Sequence, residues 1–249
     1  MKITLLEFTG KGSENEKWKA ADLLIFTKST RLTMSPGLME EVSAWPESKK
    51  LEELEYMANT IPSSWEFVDY TFLIEGVTRA FTHQFVRTRT NSYAQQTMRV
   101  LDVSEGMGWN YLAGPSIEDN DHCKFIYERA MDNIDGAYKD LIEKGAKIED
   151  ARGVLPTNIL TNIVCKTSLR TMAETVQKRS SPRTQGEYRD VLEAMKEEVL
   201  KAHPWVELFF NRTASKAIEE LQEIINAHLI DGKIKTEATK LLDQLRIKL

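Results

Sequence analysis

The order of apolar and polar positions along the chain predicts a small set of strands and helices. Lys2–Phe8 predicts a first strand. Trp65–Glu75 predicts a second, because it is rich in aromatic and β-branched residues. Both faces of this second strand are mostly apolar, which indicates burial on both sides, and Gly76 is expected to end it. For two short apolar runs, Leu23–Phe26 and Ile159–Cys165, periodicity alone does not separate a buried strand from a buried helix.

Helical periodicity begins directly after the second predicted strand. Val77–Arg87 has apolar residues at helical spacing, and Thr78 could cap its start. This helix would deliver Gln84 and Arg87 to its end. Residues 88–100 have no clear period and are rich in Thr, Asn, Ser and Gln, which predicts an ordered functional loop.

Further helices are indicated by apolar residues three or four positions apart. The predicted segments are Phe125–Lys144, a segment from Thr167 or Ser168 to about Arg179, Thr184–Ala202, Ala214–Leu229 and Thr236–Leu249. No loop with candidate functional residues accompanies the last two helices, so we expect them to contribute packing or oligomer contacts.

The composition of the 249-residue chain, with 41% hydrophobic and 29% charged residues, is that of a soluble globular protein. No apolar run approaches the roughly 20 residues that a membrane span requires. The first eight residues show no secretory signal, so we expect a cytoplasmic protein without membrane contact. Two cysteines and four histidines lack metal-ligand spacing, and no metal is expected.

Charge is distributed unevenly around a net value of −5. Residues 76–101 contain four arginines and no acid, and residues 151–186 contain Glu174 as their only acid. Two arginine-rich tracts in an acidic chain predict a localised anion site. Forked guanidinium groups are well suited to hold such an anion.

The segment Gln84–Arg99 resembles the signature of the flavin-dependent thymidylate synthases. That family has Arg-His-Arg, seven residues and a Ser, with a Gln three residues before the first Arg and another Arg two after the Ser. The residues that match in type and spacing are Gln84, Arg87, Arg89, Ser92 and Arg99. The replacements are Thr88 for His, Gln95 for a usual Glu and Thr97 for Ser.

Two downstream blocks extend the resemblance. Ala151–Pro156 is similar to the family's Ala-Arg-x-x-Leu-Pro, and Arg179–Glu187 is similar to Arg-x5-Gln-x-Glu. The blocks occur in the family's order and at fitting separations within Ile61–Val199.

The resemblance implies two groups of binding residues. Those implied to contact a deoxynucleotide are Gln84, Gln95, Gln96, Thr97, Arg99, Arg152 and Arg179. Those implied to lie against flavin are Arg87, Thr88, Arg89, Thr90, Ser168, Arg170, Glu174 and Arg183. Arg179 and Thr97 are the implied catalytic residues, with the Arg179 cation stabilising negative charge on the pyrimidine ring.

The resemblance also implies the activity and the fold. The implied enzyme is a flavoprotein methyltransferase that uses FAD, NADPH as reductant and methylenetetrahydrofolate as one-carbon donor to convert deoxyuridylate to thymidylate. The implied fold is α/β (α+β), with a central, mostly antiparallel sheet packed with helices. A homotetramer with shared active sites is implied as well. We assign residues 1–210 to this domain and 211–249 to a C-terminal helical extension.

Two other interpretations stay open at this point. Departures at Thr88, Gln95, Thr97, Asn59 and Val100 leave room for hydroxymethylation or for deoxycytidylate as acceptor. A non-catalytic module that binds RNA or a nucleotide would also use the basic tracts. The net charge of −5 and the lack of aromatic residues interleaved with the basic ones count against nucleic-acid binding.

Overall fold

The computed structural model describes residues 1–32, 34–100, 109–179, 184–210, 221–226 and 232–248. The chain forms two compact units. Unit 1 contains Met1–Leu6, Thr71–Lys166 and Gln185–Val191. Unit 2 contains Glu7–Tyr70, Thr167–Thr184 and Leu192–Leu249. The assignment of residues 211–249 to a separate extension stays a prediction.

Four strands form one sheet in the order β1-β2-β4-β3. Their bounds are β1 (Lys2–Phe8), β2 (Asp69–Thr78), β3 (Ser92–Gln95) and β4 (Leu160–Ser168). β3 runs antiparallel to β4, with Tyr93 opposite Cys165 and Gln95 opposite Ile163. β3, which belongs to the segment that follows Gln84, is an edge strand of this sheet.

Helices account for most of the remaining described chain. They are α1 (Glu16–Ser29), α2 (Leu38–Ser43), α3 (Glu47–Thr60), α4 (Arg79–Phe85), α5 (Pro115–Glu118), α6 (Asp121–Glu143), α7 (Ile148–Ala151), α8 (Leu169–Arg179), α9 (Gly186–Ala202), α10 (Glu207–Phe210) and a C-terminal helix, Lys233–Lys248. The run Leu23–Phe26 is therefore helical, and Ile159–Cys165 falls mainly on β4. No helix in the described ranges is long and apolar enough to cross a membrane.

The predicted strand Trp65–Glu75 was wrong in its start, its end and its burial. A 3-10 turn, Pro62–Phe67, precedes β2, and the Trp65 indole N–H donates to the Met57 carbonyl at 3.1 Å. Trp65 is thus buried without belonging to a strand, and its ring also packs edge-on against Phe209 with the ring centroids 4.9 Å apart. Within β2, buried and partly exposed residues alternate up to Glu75, so one face packs inward. Gly76 has a positive φ of 66° but lies inside the strand.

The predicted helix Val77–Arg87 is shorter in the structure because Val77 and Thr78 complete β2. The Thr78 hydroxyl accepts from the Phe81 amide at 3.0 Å, which confirms the predicted cap. The predicted loop at residues 88–100 contains β3, whose pairing with β4 is not visible in its own short sequence.

Candidate functional site

Helix α4 is tied at both ends to the segment Gln185–Glu187 within unit 1. The Glu187 carboxylate accepts from the Thr78 amide at 2.7 Å and from the Thr78 hydroxyl at 2.6 Å. At the other end, Gln84 Nε2 donates to Gln185 Oε1 at 2.8 Å. Hydrogen bonds to a charged group contribute roughly 1.5–3 kcal/mol each, so the carboxylate is a strong anchor for the helix start.

The arginines that follow α4 lie on a tight turn. The Arg87 amide donates to the Gln84 carbonyl at 3.2 Å, and the Thr88 amide donates to the Phe85 carbonyl at 3.1 Å. The side chains of Arg87 and Arg89 are exposed. The turn therefore presents two guanidinium groups to solvent from an ordered backbone.

Tyr93 fastens this turn to β3. Its hydroxyl donates to the Phe85 carbonyl at 2.7 Å, with the Thr88 carbonyl as a second acceptor at 3.1 Å, and it accepts from Asn91 Nδ2 at 3.1 Å. Burial raises the pKa of Tyr93 well above its usual value, while the hydrogen bond from Asn91 acts in the opposite direction. The phenol is therefore neutral and available as a donor.

The residues from β3 onward place amide groups beside the helix. Gln95 Nε2 donates to the Thr82 hydroxyl at 2.8 Å, which orients the Gln95 amide. The Gln96 amide N–H donates to the Asn162 carbonyl at 3.0 Å. Thr97 and Arg99 are exposed, and the Thr97 hydroxyl accepts from the Arg99 amide at 3.1 Å.

Arg79 is a candidate site residue that the sequence did not single out. It is partly buried, and its Nη2 donates to the Gln96 carbonyl at 2.5 Å. Its buried Nε has no hydrogen-bond partner among the described residues. Burial lowers the pKa of Arg79, and the positive charge of Arg152 lowers it further. Arg79 is thus a partly desolvated cation on which the positive charge of Arg152 acts.

Arg152 is the exposed member of this pair. It lies just after α7, and its Nε donates to the Glu149 carbonyl at 3.1 Å. The only available sequence signal for Arg79 was its place in the acid-free tract, because burial and proximity to Arg152 depend on tertiary packing.

An open groove of about 300 Å³ crosses β2, β4 and β3 in the same unit. It is lined by Leu73, Ala94, Gln96, Asn162, Ile163 and Val164. This volume is at the lower end of the range for small-molecule pockets. The lining combines apolar side chains with two amides, which suits a flat ring with polar edges.

In unit 2 the predicted flavin residues lie at the start of α8. The Ser168 hydroxyl accepts from the Thr171 amide at 3.2 Å and so caps the helix. Arg170 donates through Nε to Glu174 at 3.0 Å and through Nη1 to Glu66 at 2.7 Å. The hydrogen bond to Glu174 is the main cause of a raised Arg170 pKa. This guanidinium is already shared between two carboxylates.

The charge of Glu174 follows from the same contacts. Burial alone would raise the pKa of Glu174, but the hydrogen bond from Arg170 and the positive charge of Lys178 outweigh it, and the pKa is lowered. Glu174 is therefore ionised at neutral pH. Arg179 is exposed at the end of α8. Arg183 lies outside the described residues.

The donor sets differ in how well they fit an anionic flavin dinucleotide. Arg87 and Arg89 form no ion pair with any other described residue, so their donors fit a diphosphate. Arg170 fits a diphosphate poorly, because Glu66 and Glu174 surround it with two negative charges.

The structure brings most of the predicted residues into unit 1. These are Gln84, Arg87, Thr88, Arg89, Thr90, Gln95, Gln96, Thr97, Arg99 and Arg152. Unit 2 holds Ser168, Arg170, Glu174 and Arg179. Their individual roles stay predictions. Within the described ranges, no group of three or more His, Cys, Asp or Glu side chains is placed to hold a metal ion.

Comparison with known proteins identifies the family. The family described as thymidylate synthase complementing protein matches residues 4–205. A flavin-dependent thymidylate synthase of Clostridium tetani (strain Massachusetts / E88) is 29% identical over 222 residues, 82% of this chain and 84% of that protein. A flavin-dependent thymidylate synthase of Pyrococcus furiosus is 32% identical over 203 residues, 81% of this chain and 80% of that protein.

A solved structure supports the fold. It is a UMP/dUMP methylase PolB from Streptomyces cacaoi bound with 5-Br dUMP, with a TM-score of 0.67 and 18% identity. The match covers 84% of this chain and 94% of that chain. The chain belongs to the thymidylate synthase complementing protein family, which includes the flavin-dependent thymidylate synthases. The predicted family and the predicted mixed fold are thereby confirmed.

Proposed function

We propose that this protein is a flavin-dependent thymidylate synthase, which transfers a one-carbon unit from methylenetetrahydrofolate to C5 of deoxyuridylate. FAD is its cofactor and NADPH its reductant. Family membership over residues 4–205 supports the activity. The observation that carries the proposal is the partly buried Arg79 of unit 1, whose buried Nε has no hydrogen-bond partner among the described residues and whose pKa is lowered by burial and by the charge of Arg152.

The pair of cations is the proposed site of the 5′-phosphate. Like charges near each other and partial burial both disfavour the ionised state of Arg79, and a dianionic phosphate reverses both effects. The unsatisfied Nε supplies a donor for a phosphate oxygen. Arg99, exposed on the same unit, is proposed as a further phosphate contact.

The proposed contacts to the pyrimidine come from amides. Gln84 and Gln95 each use Nε2 in an internal hydrogen bond, to Gln185 and Thr82 respectively. The opposite end of each amide, the carbonyl oxygen, can accept a hydrogen bond from the ring N3–H of uracil. An amide with a fixed orientation favours the ring edge that pairs with it. A mismatched edge would leave hydrogen-bonding groups without a partner, which costs free energy.

The proposed flavin contacts begin with the turn that holds Arg87 and Arg89. When bound, the flavin supplies the hydride transfer that reduces the transferred carbon. In unit 1, Arg87 and Arg89 would hold the diphosphate, and in unit 2, Arg170 is a further proposed flavin contact. The proposed catalytic residues are Arg179, whose cation would stabilise negative charge that develops on the pyrimidine ring, and Thr97, whose hydroxyl would lie beside the ring.

The proposed mechanism needs no protein nucleophile. Cys165 is buried on β4, and burial raises the pKa of its thiol to about 12. Only the thiolate is nucleophilic, so Cys165 is inactive at neutral pH. Cys123 is exposed near the start of α6, outside the predicted motifs.

We also propose a cytoplasmic homotetramer with active sites shared between subunits. This assembly would allow the guanidinium groups of different stretches to meet around two phosphorylated molecules. The tail after residue 210 is proposed as the helical extension that contributes packing or oligomer contact.

One observation favours deoxycytidylate as a second candidate acceptor. Gln95 Nε2 donates one of its two N–H groups to Thr82, which fixes the amide so that its carbonyl oxygen is available as an acceptor. Cytosine carries an amino donor where uracil carries a carbonyl. An acceptor directed at that edge would select cytosine.

The test is a product assay on purified protein supplied with FAD, NADPH and methylenetetrahydrofolate. Each nucleotide, deoxyuridylate and deoxycytidylate, is incubated separately, and products are identified by mass spectrometry. Methylated deoxyuridylate supports the first proposal. Turnover of deoxycytidylate alone, or a hydroxymethyl product, replaces it with a variant activity. A protein that binds neither flavin nor nucleotide and forms no product overturns the proposal.

A further inference from the structure

The third motif is connected to the helix of the first motif over a long sequence distance. Gln185 forms a hydrogen bond with Gln84, 101 residues earlier in the chain, and Glu187 forms one with Thr78, 109 residues earlier. Between these contacts, Tyr188 packs edge-on against Phe81 and Phe85, with ring centroids 5.2 Å and 6.0 Å apart. The segment Gln185–Tyr188 therefore contacts α4 along its whole length.

At the start of α4, the two contacts of Glu187 act on a single residue. Both carboxylate oxygens are used, one by the Thr78 amide and one by the Thr78 hydroxyl. The same hydroxyl then accepts from the Phe81 amide. Because that hydroxyl has one proton and gives it to Glu187, its lone pairs are directed at the helix N–H groups. The carboxylate thus sets the geometry of the cap.

At the end of α4, Gln185 determines which way the Gln84 amide faces. Its Oε1 accepts from Gln84 Nε2 at 2.8 Å, which leaves Gln84 Oε1 on the opposite side. Rotation of the Gln84 amide by half a turn would bring two carbonyl oxygens together and is disfavoured. One side chain of the third motif therefore selects one of two possible amide orientations.

We propose that Gln185 and Glu187 are positioning residues that hold α4 in place and orient Gln84 for its nucleotide contact. The proposal rests on the proposed function, because it assumes that Gln84 accepts from the substrate. Gln185 acts on substrate recognition through one side chain. Glu187 acts through the backbone of α4 and through the Arg87 turn that follows it.

The first experiment is a double-mutant cycle on Gln84→Met and Gln185→Met in the full chain. Gln185 is exposed, so its replacement leaves the core intact, and the melting temperature is expected to stay unchanged. Loss of one orienting hydrogen bond is expected to raise the Kd for deoxyuridylate about five- to tenfold. In the Gln84→Met background the second substitution is expected to add nothing, since the residue it acts through is gone. Gln222→Met, on an exposed helical stretch, is the matched control.

The second experiment compares Thr78→Ser with Thr78→Val, alone and with Glu187→Gln. Serine keeps the hydroxyl and is expected to keep nucleotide affinity, whereas valine is expected to lose affinity and thermal stability together. Glu187→Gln is expected to weaken binding in the Thr78→Ser background and to have a much smaller effect beside Thr78→Val.

The outcomes separate the inference from the function on which it rests. If wild-type protein binds no deoxyuridylate, the proposed function fails. If wild-type protein binds it and Gln185→Met binds equally well, the positioning role of Gln185 is overturned. Additive effects in the Gln84 cycle would show that Gln185 acts independently of Gln84 and would also overturn the proposal.

Discussion

The guanidinium of Arg79 donates through Nη2 to the backbone carbonyl of Gln96 at 2.5 Å, and its buried Nε has no partner among the described residues. This contact joins the first residue of α4 to the chain just beyond β3. Arg79 is partly desolvated, and the positive charge of Arg152 lowers its pKa further. An anion held between the two would satisfy the remaining donor and reduce the repulsion.

Replacement of Arg79 by Met is expected to weaken deoxyuridylate binding about 10- to 100-fold. Charge-assisted hydrogen bonds contribute roughly 1.5–3 kcal/mol, and about 1.4 kcal/mol corresponds to a factor of ten. Isothermal titration calorimetry measures the Kd, and the uncharged deoxyuridine serves as the ligand that lacks the phosphate. Deoxyuridine binding should change little. Arg129→Met, on α6 beside Phe125, is the matched control. Equal loss for both ligands would contradict a phosphate contact.

Tyr93→Phe is expected to loosen the arginine turn while keeping the aromatic packing against Phe85, whose ring centroid lies 5.3 Å away. The Phe85 and Thr88 carbonyls lose their donor. We expect flavin affinity to fall about tenfold and the melting temperature to fall by a few degrees. Flavin titration and thermal unfolding measure the two effects. Tyr56→Phe, at an exposed position on α3, is the control. Unchanged flavin affinity would mean that the Tyr93 hydroxyl has no role in flavin binding.

Glu174→Gln is expected to tighten flavin binding several-fold. Glu174 is ionised and shares Arg170 with Glu66, so its removal frees positive charge for the anionic cofactor. The gain should be larger at low salt because the carboxylate is partly exposed. Flavin titrations at two salt concentrations measure it, with the exposed Glu193→Gln on α9 as control. Weaker binding by Glu174→Gln would mean that the carboxylate itself contacts the cofactor.

His203 makes stability depend on pH below neutrality. It is fully buried, with its Nδ1 3.0 Å from the Tyr70 hydroxyl, and burial lowers its pKa to about 4. The unfolded chain takes up a proton near pH 6.5 while the folded chain does not, so stability is complete above 6.5 and declines towards 4. We expect a loss of about 2 kcal/mol at pH 5 relative to pH 8.

Urea unfolding at both pH values measures the effect of His203. The His203→Phe variant keeps a ring beside Phe8 and Trp205 and should lose most of this pH dependence. Its stability at pH 8 is expected to fall, because the hydrogen bond between Tyr70 and His203 is lost. An identical pH dependence in the variant would assign the effect to other groups.

Helix caps and helix bounds, which depend mainly on neighbouring residues, could be predicted from the sequence. Thr78 was predicted as the cap of α4 and either Thr167 or Ser168 as the cap of α8, because each hydroxyl lies just before a periodic segment; the structure shows Thr78 and Ser168 in these roles. The long helix α6 was predicted within four residues at its start and one at its end. The family resemblance added the mixed fold.

Strand pairing, burial and long-range side-chain contacts depend on distant residues and could not be predicted from the sequence. β3 exists because Ser92–Gln95 pairs with β4, and four residues carry too little alternation to indicate a strand. Arg79 looked like its neighbouring arginines because neither its burial nor its proximity to Arg152 is encoded locally. The contact between Gln84 and Gln185 spans 101 residues and has no local pattern.

In the proposed site, guanidinium groups from separate parts of the chain hold a flavin dinucleotide and a deoxynucleotide next to each other. The visible absorption spectrum of the FAD-loaded wild-type protein, recorded during titration with deoxyuridylate, tests this arrangement. We predict a saturable shift of the flavin band that is lost in the Arg79→Met variant at the same nucleotide concentration. A flavin band that does not respond to saturating deoxyuridylate, or a protein that retains no FAD, would contradict the account.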